Sequence, residues 1–388
     1  MRVEIIRQLS RLPKLDTPTT EGLAAFFGHD EPYVVAAFDG EKLIGWLPLK
    51  RTIEQTLGLT GVKLTRASEL HGHVDDASAK HLLEFLLRNE PFSLLELGGE
   101  SENGPLQRAA PSLKSFKFGV QCVPGPVRAT VPLARDLDAW FHTLDGWAAP
   151  LARRTRSLMA AGEVELVSSD DPRAGKELLS MYMELEARSY KLDSATGVGG
   201  DSRKAARHAA LAECGATLFH FLLLDGLPIA ASLSLRVKDR LVQLENVCDM
   251  SFEDTAPEEV LLMLELRDAL NRGCAALELC PDLVPRHTRL GATAVETNVL
   301  QVFRRFGAHH LDAIRRHFMG EESALPMHAG PMRSDLARQL RARTHATEIL
   351  DRLDTAGASV ERLWGDQLRA CLPFEVQPAE LDRVRRAV

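Results

Sequence analysis

The sequence predicts an α/β fold made of two similar mixed-sheet units in tandem, followed by a C-terminal helical extension. Three observations carry this expectation. The chain has 388 residues, more than one hydrophobic core usually serves. The stretch LLLDGLPIAASLSL at residues 222–235 is echoed by AAFDGEKLIGWLPL at residues 36–49. In both, two apolar runs bend at an Asp-Gly dipeptide, a tight-turn signal because glycine accepts positive φ. After each hairpin the same order follows, a strand, a helix and a strand, which favours a mixed sheet covered by helices.

The first unit is expected over residues 1–130. Its helix ASAKHLLEFLLRN carries a leucine-rich face and stops at Asn89 and Pro91, before the strand FSLLELGG. KFGVQCVPGPVRATVPL reads as two strands around a Pro-Gly-Pro break that ties the halves together. The second unit, residues 131–320, opens with the helical stretch DLDAWFHTLDGWAAPLARRTRSLMAAG and the strand EVELVSS. A helix, AGKELLSMYMELEARSYK, then leads to the glycine-rich loop DSATGVGGDS and a helix ending near Cys214. The strands PIAASLSLRV and RLVQLENVCD precede the helix PEEVLLMLELRDALNRG, which stops at Gly273, and the strand AALELC. Residues 321–388 read as amphipathic helices, an appended arm or a homodimer contact.

Composition narrows the function classes. A net charge of −7 and a pI near 6.0 argue against a general nucleic-acid or anionic-membrane binder, where a basic excess is expected. No apolar run approaches the length of a membrane span. The start MRVEIIRQLSRLPKLD lacks the apolar core and cleavage site of a secretory signal, so a cytoplasmic location is expected. Cysteines 122, 214, 248, 274, 280 and 371 form no CxxC pair and are expected to be mostly buried thiols rather than a disulfide framework or a zinc site. His71, His73 and Asp75 alternate around Gly72, but with no fourth ligand in the pattern a turn is the expectation, and no metal. His309, His310 and His317 have no ligand spacing, and no GxSxG supports serine hydrolase chemistry.

Residues 129–167, ATVPLARDLDAWFHTLDGWAAPLARRTRSLMAAGEVELV, are similar to the start of the acyltransferase-like domain named for cellulose-biosynthesis loci, a branch of the GNAT superfamily. There a strand leads into a helix bearing an Arg-Arg pair, then a glycine and a short strand. LEARSYK, LLLDGLPIAASLSL and CDMSFEDTAPEEVLL follow in the family's order. The resemblance covers about residues 130–318, and the first unit in outline, read as a degenerate copy. The double layout also resembles the Fem-type peptidoglycan aminoacyltransferases.

The resemblance implies transfer of an acyl group from acetyl-CoA or another acyl-CoA to an amine or hydroxyl. Such a site needs helix N-terminal amides for the CoA pyrophosphate, here those of Ala256, Glu258, Glu259 and Val260. It needs a gap between strands for the pantetheine arm, expected between PIAASLSL and RLVQLENV, and a base for the attacking nitrogen. Asp249 occupies the family's Asp position, and Tyr190-Lys191 the border of its acceptor pocket, with Tyr190 a proton donor to the departing thiolate. Arg153, with Arg154 and Arg156, would meet the CoA phosphates or an anionic acceptor.

The residues add their own indications. SFEDTAPEEV has no glycine, and Thr255 to Glu258 fits a capping box that would satisfy the helix start internally. Glu245 and Asp249 share a strand face at two pleats' spacing, where mutual repulsion would raise one pKa toward that of a base. Between Glu245 and Arg272 eight carboxylates face two arginines, a field that would draw a cationic amine. The glycine-rich loop lacks a phosphate-loop ending and is expected to be an acceptor lid. A non-catalytic scaffold of the same fold is the rival reading. A transferase using aminoacyl-tRNA is a third, with the acidic balance against it.

Overall fold

The computed structural model describes residues 1–13, 23–24, 27, 30–56, 59–66, 73–101, 104–113, 117–125, 127–133, 136–142, 144, 146–193, 197–237, 239–279, 290–305 and 346–376. His71, Gly72, Cys280, His309, His310, His317, residues 194–196 of the glycine-rich loop and residues 321–345 lie outside the described residues. The chain forms two compact units, Met1–Arg128 with Val295–Met327, and Ala129–Ala294 with His328–Val388.

The first unit holds β1 (Arg2–Ile6), β2 (Val34–Asp39), β3 (Lys42–Thr56), β4 (Leu59–Arg66), α1 (Asp76–Asn89), β5 (Leu94–Ser101), α2 (Pro105–Ala109) and β6 (Phe118–Pro124). Its seven-stranded sheet has the order β1-β2-β3-β4-β5-β14-β6, where β14 is Thr297–Arg304. That strand pairs antiparallel with both β5 and β6. The division expected at residues 130 and 320 therefore differs from the folded one, since residues 295–304 complete the first sheet. The cause is pairing: β5 and β6 leave a vacant lane, and an alternating strand from far along the chain fills it.

Helix α1 buries Leu82, Leu83 and Leu86. Asp75, one of the three residues weighed for a metal, is its N-cap: the carboxylate accepts from Ser78 N at 2.7 Å and the Ser78 hydroxyl bonds back. These bonds hold the Asp75 carboxyl below its ordinary range. Gly45 is required where β3 passes this cap, because a Cβ there would lie 2.4 Å from Ser78 Oγ.

The second unit runs β7 (Arg128–Pro132), α3 (Leu137–His142), α4 (Ala148–Ala161), β8 (Val164–Ser169), α5 (Gly175–Glu186), α6 (Ser202–Glu213), β9 (Thr217–Leu224), β10 (Leu227–Val237), β11 (Arg240–Cys248), α7 (Pro257–Asn271), β12 (Ala276–Leu279) and β13 (Thr293–Val295). Then come α8 (Ala346–Thr355), β15 (Glu361–Trp364) and α9 (Gly365–Cys371). The eight-stranded sheet has the order β13-β7-β12-β11-β10-β9-β8-β15. In each unit antiparallel hairpins lead to a parallel pair bridged by a helix: β4 with β5 across α1, and β11 with β12 across α7.

The echoed hairpins use different turns. Leu224 pairs with Leu227, so Asp225 and Gly226 are the two turn residues, both at positive φ (49° and 74°), as a type I′ turn demands. Asp39 pairs with Lys42, so the first turn is Gly40-Glu41, shifted by one residue, with Gly40 at φ 61°.

Both faces of the second sheet are covered. α4 and α7 close one core with Leu158, Leu261, Leu264 and Leu277. α5 closes the other with Leu178, Tyr182, Phe219 and Leu233. The C-terminal segment straps this unit: α8 adds Ile349, Leu350 and Leu353 to the second core, β15 pairs antiparallel with β8 at the sheet edge, and Leu368, Leu372 and Val376 join the first core. The described apolar residues of this extension are thus buried against the chain's own sheet. Of the five described cysteines, only Cys248 and Cys274 are buried. No described helix is long and apolar enough to cross a membrane.

Leu350→Ala is expected to lower unfolding free energy by about 2–5 kcal/mol through the cavity it leaves, measured by urea denaturation. A loss below about 0.5 kcal/mol would mean that α8 is not part of this core.

Candidate active site

Strand β11 is the axis of the site. Its parallel pairing with β12 covers only Arg240, Leu241 and Val242, opposite Ala276, Leu277 and Glu278. The described pairing with β12 ends at Val242, while β11 continues to Cys248. The opposite edge is closed, since β10 pairs with β11 from Ala230↔Cys248 to Val237↔Arg240. The gap expected between β10 and β11 is therefore absent.

A bulge in β11 sorts its side chains. The register steps from Leu233↔Glu245 to Ser234↔Gln243, leaving Leu244 as the extra residue. Paired residues share a face, so Gln243 and Asn246 stand with Ser234 and Ser232 on the side of α7. Glu245 and Val247 stand with Leu233 and Ala231 on the side of α5.

On the α5 side Glu245 is 5% exposed. Its Oε2 takes Lys191 Nζ at 2.9 Å, its Oε1 pairs with Lys204, and His208 Nε2 lies 3.8 Å away. Burial alone would raise this carboxyl, but His208 and the two ammonium groups outweigh it and draw the pKa down to about 2. The expected rise toward a base does not occur, because cations rather than Asp249 are its neighbours. Asp249, just past the strand, has its own partners: Arg188 Nε donates to Oδ2 at 2.9 Å, and Ser251 N donates to Oδ1 at 2.9 Å. Lys191 is itself buried in the Glu245 pair, whereas Tyr190 is 46% exposed. The loop after them is pinned, with Glu186 accepting from Val198 N and Gly199 N at 2.8 and 2.6 Å, so residues 197–200 do not form the free lid expected.

On the α7 side the helix start departs from the expected capping box. Met250–Thr255 form a 3-10 turn capped by Asp249, and Thr255 Oγ1 bonds back to Phe252 O at 2.8 Å. Ala256 sits in the left-handed region at φ 45° ahead of Pro257, since a residue before proline avoids the right-handed helix. Of the four amides expected to cradle phosphate, those of Ala256, Glu259 and Val260 donate to main-chain carbonyls, Glu253 O, Ala256 O and Ala256 O. Positive charge arrives from α4 instead: Arg154 Nη1 meets Glu259 Oε2 at 2.8 Å, while the expected Arg153 is exposed.

Beneath α7 lies a polar cluster that sequence reasoning missed. Glu265 is fully buried and accepts from Ser232 Oγ at 2.7 Å, Ser234 Oγ at 3.0 Å and Gln243 Nε2 at 2.8 Å. His220 Nδ1 lies 3.5 Å from Glu265, and its Nε2 is 2.8 Å from Asp268, which also takes Arg272 Nε at 2.7 Å. Burial would lower the His220 pKa, but Asp268 and Glu265 outweigh it and lift it to about 9. The signal was present: His220 interrupts the all-buried strand TLFHFLLL and Glu265 the run VLLMLEL, and a buried charge demands partners. A narrow cleft is lined by the polar Ser232, Gln243, Asn246, Glu258, Glu259 and Glu265 and by the apolar Trp147, Ala231, Leu261, Leu262 and Leu290.

Most of the eight carboxylates of this region are therefore answered by cations within the chain; Glu253 and Asp254 are the exposed ones. The field expected to select a cationic acceptor is largely neutralised. Among the described residues no group of three or more His, Cys, Asp or Glu side chains could hold a metal.

Residues 149–285 match the family model of an acetyltransferase (GNAT) domain. The structure of FemX has a TM-score of 0.53 at 13% identity, covering 77% of this chain and 97% of that one. A tandem GNAT protein from the clavulanic acid biosynthesis pathway, without AcCoA, gives a TM-score of 0.39 at 12% identity, with 75% and 88% covered. L-PGS from Bacillus licheniformis gives 0.48 at 12%, with 76% and 89% covered. No curated protein sequence matches the chain. The fold is two mixed α/β units in tandem, with the residues that match the acetyltransferase (GNAT) domain model in the second.

Two outcomes are expected. Glu245→Gln leaves Lys191 buried without its charge partner and lowers stability by about 3–5 kcal/mol in denaturant titrations; an unchanged midpoint would refute the pairing. The His220 pKa is raised from 6.5 to about 9, so the stability it contributes is whole below pH 6.5 and is lost as pH rises through 9. Wild type should lose stability from pH 6.5 to 9.5, and His220→Gln should flatten that decline. A decline identical in both proteins counts against the network.

Proposed function

We propose that the second unit is an acyl-CoA-dependent N-acyltransferase acting on a small amine, with acetyl-CoA the simplest donor. The observation that carries this reading is the match of residues 149–285 to the model of an acetyltransferase (GNAT) domain. The parallel pair β11 and β12, bridged by α7, is the part of the second unit where an acyl-CoA donor would lie in this reading. The finer assignment to the cellulose-biosynthesis branch rests on the order of its sequence motifs.

The reaction joins the amine nitrogen to the acyl carbon, breaks the carbon–sulfur bond, and sends one proton from the nitrogen to a base and one to the leaving thiolate. Glu245 and Asp249 are held in ion pairs, so in this reading they position the strand end and the acceptor border. Arg154 stands at the α7 start, where a CoA phosphate would compete with Glu259 for it. Cytoplasmic location and a small-molecule acceptor remain part of the proposal.

The occupied amides of Ala256, Glu259 and Val260 favour a second reading, a non-catalytic scaffold of the same fold. Calorimetric titration with acetyl-CoA separates the two. Micromolar binding, weakened about tenfold (1.4 kcal/mol) in Arg154→Ala, is expected for the transferase. No heat up to millimolar acetyl-CoA would overturn it.

A further inference from the structure

One rim of the first sheet lacks the devices that keep sheet edges apart. β6 ends the strand order of that sheet, and β14 is its one neighbour among the described strands. The two pair in step from Phe118↔Arg304 to Pro124↔Asn298, with no bulge. Gln121 and Cys122 are both exposed. Successive side chains of a strand point to opposite faces, so this rim is open on both sides of the sheet. Gly119 adds free space, since a Cβ there would meet nothing within 4 Å.

An unpaired rim invites another strand, and proteins guard it with charge, a bulge or short length. The other three sheet edges follow that rule. β1 carries Arg2 and Glu4, β13 has three residues, and β15 has four, Glu361 and Arg362 among them. β6 is seven residues long, FGVQCVP, and holds no charge.

We propose that β6 is a homodimer interface, pairing antiparallel with β6 of a second copy about a two-fold axis at Gln121. A two-fold makes the contact self-complementary. Gln121 then meets its own copy, Val120 meets Cys122 of the partner subunit, and the space over Gly119 receives Val123 of the partner subunit. No like charges stand opposite each other, a juxtaposition that would oppose pairing. Gln121 also ends a row of polar side chains across the sheet. Its Nε2 donates to Gln301 Oε1 at 2.7 Å, Gln301 Nε2 donates to Glu96 Oε2 at 3.0 Å, and Lys63 Nζ lies 3.2 Å from Glu96 Oε1. The Gln121 amide oxygen takes no part in that row, and the two-fold sets it against the second Gln121 amide. This interface is independent of the transferase reading.

The test is light scattering during size-exclusion chromatography of the full chain at up to about 100 μM, a range that reveals the weak association of a small interface. The mass is expected to move from 42.8 kDa toward twice that value. Gln121→Lys sets two ammonium groups face to face and is expected to raise the dissociation constant at least about tenfold, while staying folded by its melting curve. Should it fail to fold, Cys122→Lys, an exposed change that leaves the Gln301 bond in place, is expected to do the same. A short bismaleimide is expected to join wild-type dimers through Cys122, whose two copies would be diagonal neighbours roughly 7–8 Å apart, and to fail in Cys122→Ser. A mass that stays at 42.8 kDa, a dimer unmoved by the lysine variants, or a wild-type dimer without that cross-link overturns the proposal.

Discussion

A fully buried carboxylate cannot be left without donors, and Glu265 is the point on which the second unit turns. Its partners come from two strands, the hydroxyls of Ser232 and Ser234 on β10 and the amide of Gln243 on β11, with His220 of β9 close by. The directional bonds fix where α7 lies along the sheet, a matter that leucine packing alone leaves loose, since apolar contact is not directional. The helix start and the cleft inherit their placement from that anchor.

The bulge at Leu244 supplies the complementary constraint. Without it Gln243 and Glu245 would share a face, and two carboxylates, Glu245 and Glu265, would compete for one layer. The extra residue sends Glu245 to the α5 side, where Lys191 and Lys204 meet it. Each face of β11 thus encloses a carboxylate with its own answering groups. Buried ion pairs of this kind are a better guide to unique geometry than to net stability, because desolvation offsets much of their attraction.

Chain order and spatial order diverge at two places. Strand β14 follows the second unit's parallel pair yet lies in the first unit's sheet. The last described segment crosses the second unit's edge, where β15 covers the exposed lane of β8. An uncovered edge would offer its amides and carbonyls to other chains, and the strap closes it by main-chain pairing with apolar anchors on either side.

Much was legible from local physics. The second hairpin follows from Asp-Gly turn chemistry and the first from its glycine one residue out of step, the strap helix α8 from apolar spacing, and the parallel pairs from strand–helix–strand order, because each depends on nearby residues. The helix start at Ala256 was misread as a capping box, since Thr255 could satisfy its hydroxyl equally well within the preceding turn. The low basicity of Glu245 was not legible, because the cationic partners that set it come from residues 191, 204 and 208. His220 and Glu265 were visible as charges in apolar runs, but only the packed sheet names their partners. The sequence determined the elements, their repeat and the demand of every buried charge for a partner. The tertiary structure alone decided which strand fills which lane and which cation answers which acid, because those choices join residues distant in the chain that meet only when the sheet is built.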